Sequence, residues 1–293
     1  MLFDSHAHLN EKSLTEEERQ ASIDAIEKSS LDYVMDIGFD LESSKIAIDH
    51  AAKYPWCYAV VGCHPQDSGS MDDMQLSLIK GLARKDKVMA IGEIGLDYHY
   101  DEPPRDVQRE WFRKQIRLAN ELKMPIVIHS READQEVMDI LKEEGAFSDE
   151  RKSWFPKRPD SAGYLKKQSS LGDRLTGGKD DLCDDARVLL HCFSGSAELA
   201  KQYVKLGATI SIAGPVTFKS NRKTTAVVDE VPIDFLLVET DSPYLTPEPF
   251  RGKRNMPPLV EHTAAKVAEI KGISYEAAAE KTKENAMRFY GML

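Results

Sequence analysis

The chain has 293 residues, a hydrophobic fraction of 41% and a formal net charge of -10, values that exclude a disordered chain. An acidic protein is not drawn to a polyanion by its overall field, so nucleic-acid binding would have to use local patches and metal ions. No apolar run approaches the roughly 20 residues of a membrane span, and the start lacks the basic flank and apolar core of a signal peptide; a cytoplasmic protein with no membrane contact is the expectation.

Strand-like and helix-like segments alternate along the chain. The apolar run Leu2–Leu9 reads as a strand, and Thr15–Ser29 as a helix with Thr15 at its N-cap and Glu18 three residues on. Tyr33–Phe39, Tyr58–His64 and Val88–Leu96 follow as strands, with helices at Leu41–Lys53, Met71–Lys85 and Arg105–Leu122. Strand five, Pro125–His129, is almost wholly apolar and leads into a helix at Glu132–Glu144. Strands at Val188–Cys192, Ala208–Ala213 and Phe235–Glu239 complete eight, with helices at Ala197–Leu206, Val260–Ile270 and Tyr275–Tyr290. Apolar strands separated by helices indicate a parallel sheet covered on both faces. Eight of them in this length predict an α/β fold, a (β/α)8 TIM barrel forming a single domain over residues 1–293. Neither GxGxxG nor a Walker A motif occurs, which removes the nucleotide-binding folds. Functional groups are then expected at the C-terminal ends of the strands.

Residues 145 to about 187 interrupt this alternation as a long insertion between strands five and six. The segment holds Trp154-Phe155-Pro156, basic residues from Arg151 through Lys166, Lys167, Arg174 and Lys179, then Gly177-Gly178 and the acids Asp180, Asp181, Asp184 and Asp185. Connections this long are usually functional lids or solvated insertions. The plain expectation is a solvated surface segment; the sharper one is a flap over the mouth of the site.

Side chains able to bind metal recur at strand ends. His6 and His8 alternate with Ala7, so in a strand both face one pocket. Glu93 lies on strand four, His129 ends strand five, His191 ends strand six, and Asp241 lies just beyond strand eight. Any one of these residues alone would more often be a hydrogen-bonded core residue. Six at matching positions on five strands point to a metal centre. Imidazole nitrogens with carboxylate oxygens suit Zn, Mn or Fe, and Mg where carboxylates and water dominate. Six ligands exceed one open tetrahedral site and suit two divalent metal ions about 3.5–4 Å apart, with Glu93 as the shared carboxylate.

Several stretches together resemble the TatD family of metal-dependent deoxyribonucleases, within the amidohydrolase-like barrels. They are Phe3-Asp4-Ser5-His6-Ala7-His8-Leu9-Asn10, Pro125-Ile126-Val127-Ile128-His129-Ser130-Arg131-Glu132-Ala133 and Leu237-Val238-Glu239-Thr240-Asp241-Ser242-Pro243-Tyr244-Leu245. Gly62-Cys63-His64-Pro65, Gly92-Glu93-Ile94-Gly95-Leu96-Asp97-Tyr98 and His191-Cys192-Phe193-Ser194-Gly195 match as well. The resemblance covers nearly the whole chain and departs at 145–187. It implies that His6, His8 and Asp241 hold one ion and His129 and His191 the other, with Glu93 between them. It also implies that a water activated by the ions attacks phosphorus while Asp241 accepts its proton. Cleavage of single-stranded or nicked DNA, by 3′–5′ exonucleolysis, is the activity this suggests.

Weaker candidates surround these six. His64 and Arg131 are expected at the mouth, where they would contact phosphate; a core histidine and a structural ion pair are their plain alternatives. Asn10, Asp97 and Tyr98 would support ligands. Arg251, Lys253 and Arg254 read as a solvated loop, or as a track for a single strand. Cys57, Cys63 and Cys192 read as reduced core residues, Cys192 facing away from His191 on a regular strand. Two rival readings stand beside the nuclease: a hydrolase of a small amide, lactone or phosphoester on the same centre, and a non-catalytic metal-binding protein. No stable protein partner is legible.

Overall fold

The computed structural model describes residues 2–161, 163–165 and 182–293. Its strands are β1 (Leu2–Ala7), β2 (Leu31–Ile37), β3 (Cys57–Val61), β4 (Val88–Asp97), β5 (Ile126–Arg131), β6 (Arg158–Pro159), β7 (Leu182–Cys183), β8 (Val188–Leu190), β9 (Thr209–Ile212) and β10 (Leu236–Val238). Eight of these pair in parallel in the order β1-β2-β3-β4-β5-β8-β9-β10, while β6 and β7 form a separate antiparallel pair. Beyond β10 the chain returns to β1: Ala7 bridges Ser242, His8 N–H donates to Ser242 O (2.8 Å) and Asp241 N–H to His6 O (2.9 Å). The result is a nearly closed barrel, as the alternation predicts.

Around it lie α1 (Glu16–Glu27), α2 (Leu41–Lys53), α3 (Asp73–Leu82), α4 (Arg105–Leu122), α5 (Asp134–Glu143), α6 (Asp149–Ser153), α7 (Ala197–Leu206), α8 (Arg222–Glu230), α9 (Val260–Lys271) and α10 (Tyr275–Phe289). Thr15 caps α1 as expected, its hydroxyl accepting from Glu18 N–H while the Glu18 carboxylate accepts from Thr15 N–H. The sequence reading names no helix at α8. Its Thr224, Thr225, Val227 and Val228 are β-branched and weaken the helical signal; Asn221, accepting from Thr224 N–H, starts the helix instead.

Side-chain alternation builds the barrel in layers. Phe3, Met35, Val60, Ala90, Val127, Leu189 and Leu237, from seven strands, form one buried inner cluster. Their outward neighbours Ile126, Ile128, Val188 and Leu190 pack instead with Phe112, Ile116, Val137 and Val204 of the helices. A period of two then carries the inward direction from Val127 to His129, from Leu189 to His191 and from Leu237 to Glu239. On β4 a register irregularity between Ile91 and Ile94 resets the alternation, so that Glu93 faces in although Ala90 does.

For the described parts of the connection from α5 to β8, the expectation of a flap at the mouth is corrected. These parts pack at the opposite end of the barrel. Arg151, fully buried, donates to Ala186 O (2.8 Å) and Met124 O (2.9 Å) at the starts of β8 and β5. Arg158 donates to Thr209 Oγ1 (2.9 Å) at the start of β9, and Ser161 to Asp234 before β10. The reason is topological: a helix-to-strand connection returns to the N-terminal side of a parallel barrel. Lys166, Lys167, Arg174, Gly177, Gly178, Lys179, Asp180 and Asp181 lie outside the described residues. Among the described residues, no helix is long and apolar enough to cross a membrane.

Candidate metal centre

The six expected ligands meet at the C-terminal end of the barrel. His6 Nε2 lies 3.2 Å from His8 Nε2, 3.3 Å from Glu93 Oε2 and 3.7 Å from Asp241 Oδ1. His8 Nε2 lies 3.4 Å from Asp241 Oδ1. Across Glu93, its Oε1 is 2.8 Å from His129 Nδ1 and 2.7 Å from His191 Nε2. Glu93 therefore faces both histidine pairs, one with each oxygen. Candidate ligand atoms within 4.8 Å of one another fall into three sets: His6, His8 and Glu93; His6, His191 and Asp241; His64, Glu93 and His129. His6 thus neighbours both halves of the cluster.

Hydrogen bonds fix which nitrogen each ring offers. His8 Nδ1–H donates to Ile37 O (2.8 Å), a carbonyl shared with the Asn10 amide (2.9 Å). His129 Nε2–H donates to Asp97 Oδ2 (3.1 Å). In its neutral form each ring then turns its other nitrogen, as a lone pair, toward Glu93 or Asp241. Glu239, wholly buried, lies beneath His191: its Oε1 accepts from Cys192 N–H (2.7 Å) and stands 3.4 Å from His191 Nδ1 without hydrogen-bond alignment. Asp4, also fully buried, ties β1 to the turn that carries Asp241. It accepts from Thr240 N–H (2.8 Å) and Thr240 Oγ1–H (2.5 Å). Asp241 itself has φ 54°, a left-handed conformation uncommon for a non-glycine residue and characteristic of functional sites.

Burial opposes charge at the candidate ligands, yet Glu93 and Asp241 stay ionised. Glu93 is held well below the ordinary range: burial would raise it, but the charge of His191 and the bonds from His129, His191 and His6 prevail. Asp241 is lowered too, against burial, by its bond with His8 and by the histidine charges. His8, against burial, is raised to about 9 by Asp241 and Glu93, and His191 is raised well above its usual value by Glu93 and Glu239. His6 goes down, through burial and then the charge of His191. The cluster attracts positive charge.

The residues present fit divalent ions on their own geometry. Imidazole nitrogens stand 3.2 and 3.4 Å apart with carboxylate oxygens of Glu93 beside them, a convergence of donor atoms that a cation between them would account for. His6 Nδ1 and His191 Nδ1 are buried without a hydrogen-bond partner, so neither ring is held by a purely structural network. A nitrogen and carboxylate donor set is that of Zn, Mn or Fe.

A cavity of about 710 Å³ opens over the cluster, lined among others by His64, Asp97, Tyr100, Arg131, Cys192 and Tyr244. His64 Nδ1 accepts from Gln66 N–H (3.2 Å), which leaves Nε2–H pointing at the cavity, 3.7 Å from Glu93 Oε1. Burial, reinforced by the charge of His129, pushes His64 down to about 3, so it is a neutral donor. Arg131 is exposed at the rim, its guanidinium 5.2 Å from the Tyr100 ring, with no carboxylate partner among the described residues. The alternative of a structural ion pair therefore fails for Arg131. Tyr98 turns elsewhere, donating to Glu136. Arg251, Lys253 and Arg254 lie exposed beyond β10.

Two residues escaped the sequence reading. Cys192 is not a core residue facing away: β8 ends at Leu190, Cys192 has φ 42°, and it lines the cavity. Alternation fails once the strand has ended, and nothing in the residues marks that. Glu239 went unnamed beside Asp241, although a period of two from Leu237 would have placed it inside. All four cysteines are free, with Cys57 and Cys63 buried as expected.

Comparison with known proteins agrees with this geometry. Residues 3–291 match the family model described as TatD related DNase. The chain is 40% identical over 290 residues to YabD of Bacillus subtilis, an uncharacterized metal-dependent hydrolase, covering 99% of each chain. It is 31% identical to the uncharacterized metal-dependent hydrolase TatD of Mycobacterium tuberculosis, covering 99% of this chain and 98% of that one. The crystal structure of YjjV, a TatD homolog from Escherichia coli, superposes with a TM-score of 0.77 at 24% identity, over 99% of this chain and 98% of that one. The chain belongs to the TatD family of metal-dependent hydrolases.

Proposed function

We propose that this protein hydrolyses phosphodiester bonds in DNA, preferring single-stranded or nicked substrate. The observation that carries the reading is the union of two sets at one cavity: five of the six nitrogen and carboxylate donors line it with His6 just behind them, and two groups able to donate to a phosphate, His64 and Arg131, stand at its wall and rim. The family's description as DNases supports the choice of substrate.

In this reading His6, His8 and Asp241 would hold one divalent ion and His129 and His191 the other, with Glu93 available to both; Mg, Mn and Zn all suit the donors. Bound ions supply positive charge for the phosphate oxygens and make a nearby water more acidic. The chain's own groups do the rest. His64 donates Nε2–H to a non-bridging oxygen, and Arg131 pairs with the phosphate from the rim. Asp241, ionised beside His8, takes the proton of the attacking water as its oxygen bonds to phosphorus; the bond to the 3′ oxygen breaks, and that oxygen takes a proton from solvent to leave as the 3′ hydroxyl. His8 and His129 stay in place through the bonds of their far nitrogens to Ile37 and Asp97.

The test is metal-loaded protein on end-labelled single-stranded DNA, beside an Asp241→Asn variant. The parent should release nucleotides and the variant should lose at least a hundredfold in rate. Equal cleavage by both would assign the activity to a contaminant. Turnover of a lactone or cyclic amide with DNA left intact would replace the nuclease reading with that of a small-molecule hydrolase.

A further inference from the structure

The C-terminal face of the barrel is divided by charge. The loops leaving β3, β4 and β5 carry Asp67, Asp72, Asp101, Glu102 and Glu132, against Arg105, bonded to Asp101, and Arg131. The two connections leaving β9 and β10 carry the opposite sign. Lys219, Arg222 and Lys223 follow β9, and Arg251, Lys253 and Arg254 follow β10; all six are exposed. Against them stands Glu248. On a chain of net charge -10 this is a local inversion of sign.

The two basic connections form one surface. The Arg251 guanidinium lies 4.3 Å from the Phe218 ring, and Glu248 N–H donates to Thr217 Oγ1 (2.8 Å). Gly214 packs against Leu245 O so closely that a side chain there would collide. Pro215 and Leu245, on these same connections, line the cavity over the metal ligands, so the basic ridge begins at the lip of the site. Arg254 pairs with Glu18 (3.3 Å). The other five cations have no carboxylate within 4.0 Å among the described residues. Clustered like charges without counter-charges repel one another, and a polyanion laid across them relieves that repulsion.

We propose that the ridge formed by residues 217–223 and 248–254 binds the phosphodiester backbone of the substrate strand beyond the scissile phosphate. The strand enters the cavity from this side, and its scissile phosphate reaches Arg131 on the far rim. Tyr244, exposed between the ridge and the ligands, offers its ring to a base on the way in. The proposal rests on the reading of the site as a nuclease. It adds the path of the strand.

Binding and turnover separate the two ideas. The probe is a fluorescein-labelled single-stranded oligodeoxynucleotide of about 12 nucleotides, followed by anisotropy on the Asp241→Asn background. Adding Lys219→Glu, Arg251→Glu and Lys253→Glu should weaken binding at least tenfold at low salt. It should also flatten the dependence of log affinity on log salt by about 2, at roughly 0.7 per phosphate contact. Should the triple variant fail to fold, Lys219→Gln with Lys253→Gln carries the test, with a slope change of about 1. Unchanged affinity and slope, or no measurable binding by the parent, overturns the ridge. A wild type that binds through the ridge yet releases no nucleotide would instead overturn the nuclease reading.

Discussion

His129 is clamped between two carboxylates, its Nε2 3.1 Å from Asp97 and its Nδ1 2.8 Å from Glu93. The Asp97 bond fixes the ring's tautomer and orientation, leaving Nδ1 for an ion. Asp97 is held in place in turn: its N–H donates to Gln108 Oε1, and its Oδ1 accepts from His99 N–H. On the proposed two-ion reading, Asp97→Asn should therefore weaken the ion assigned to His129 and His191 by about 10–100-fold while sparing the one assigned to His6 and His8. Competitive chelator titration would show one of two equivalents lost early. Equal loss of both would mean that Asp97 supports the whole barrel end and not one ring.

Gly95 sits beneath the same histidine. It has φ 152°, and an ideal Cβ there would overlap His129 O on the neighbouring strand. Gly95→Ala must push β5 away from β4, where the two strands pair at Gly95 and His129. We expect a loss of about 2–4 kcal/mol in unfolding free energy, combining backbone strain and overpacking, together with weaker metal binding. Denaturant unfolding of the metal-free protein isolates the first effect. A variant as stable as the parent would show that the strands separate freely.

How far the sequence carried this structure differs by feature. Helices α2, α4 and α7 were legible to the residue, through the long amphipathic spacing of α4 and, at α2 and α7, spacing that agrees with the caps Asp40 and Ser196. His129 and His191 were legible because each follows an apolar run whose inward residue lies two positions earlier, as Val127 does for His129; His6, His8, Glu93 and Asp241 were legible from residue type and position near strand ends. Where regular structure stops, the same logic fails. Cys192 turns into the cavity through a left-handed backbone that no composition announces. Residues 148–161 hold to the barrel base through side-chain bonds from Arg151 and Arg158 to distant carbonyl and hydroxyl oxygens. Long-range polar pairs of this kind leave no period to read.

Asp67 links stability to pH. Burial, with the charge of Asp40 adding to it, raises its carboxyl to about 6 from an ordinary value of 3.8. A carboxyl raised in the folded state favours folding below pH 4 and loses that contribution as pH climbs through 6. Asp67→Asn should thus match the parent at pH 4 and exceed it at pH 8. Because the side chain is partly solvated, the gain should be on the order of 1 kcal/mol. Urea unfolding at the two pH values measures it. An advantage appearing at pH 4 instead would reverse the sign and the argument.

Arg151 tests where the long connection belongs. Its guanidinium is fully buried and donates to Ala186 O, Met124 O and Asn120 Oδ1 at 2.8, 2.9 and 2.7 Å. Burial lowers its pKa to about 10, so it remains charged at neutral pH. Arg151→Met keeps much of the volume but strands three oxygens without donors, each costing about 1–3 kcal/mol unless water reaches it. We expect 2–4 kcal/mol of destabilisation in all, about the cost of breaking a buried polar network. The bonds lie at the starts of β5 and β8, at the far end of the barrel from the metal ligands. Metal content and kcat should therefore stay at the parent's values below the melting transition. A variant of normal stability with altered kcat would return this connection to the mouth of the site.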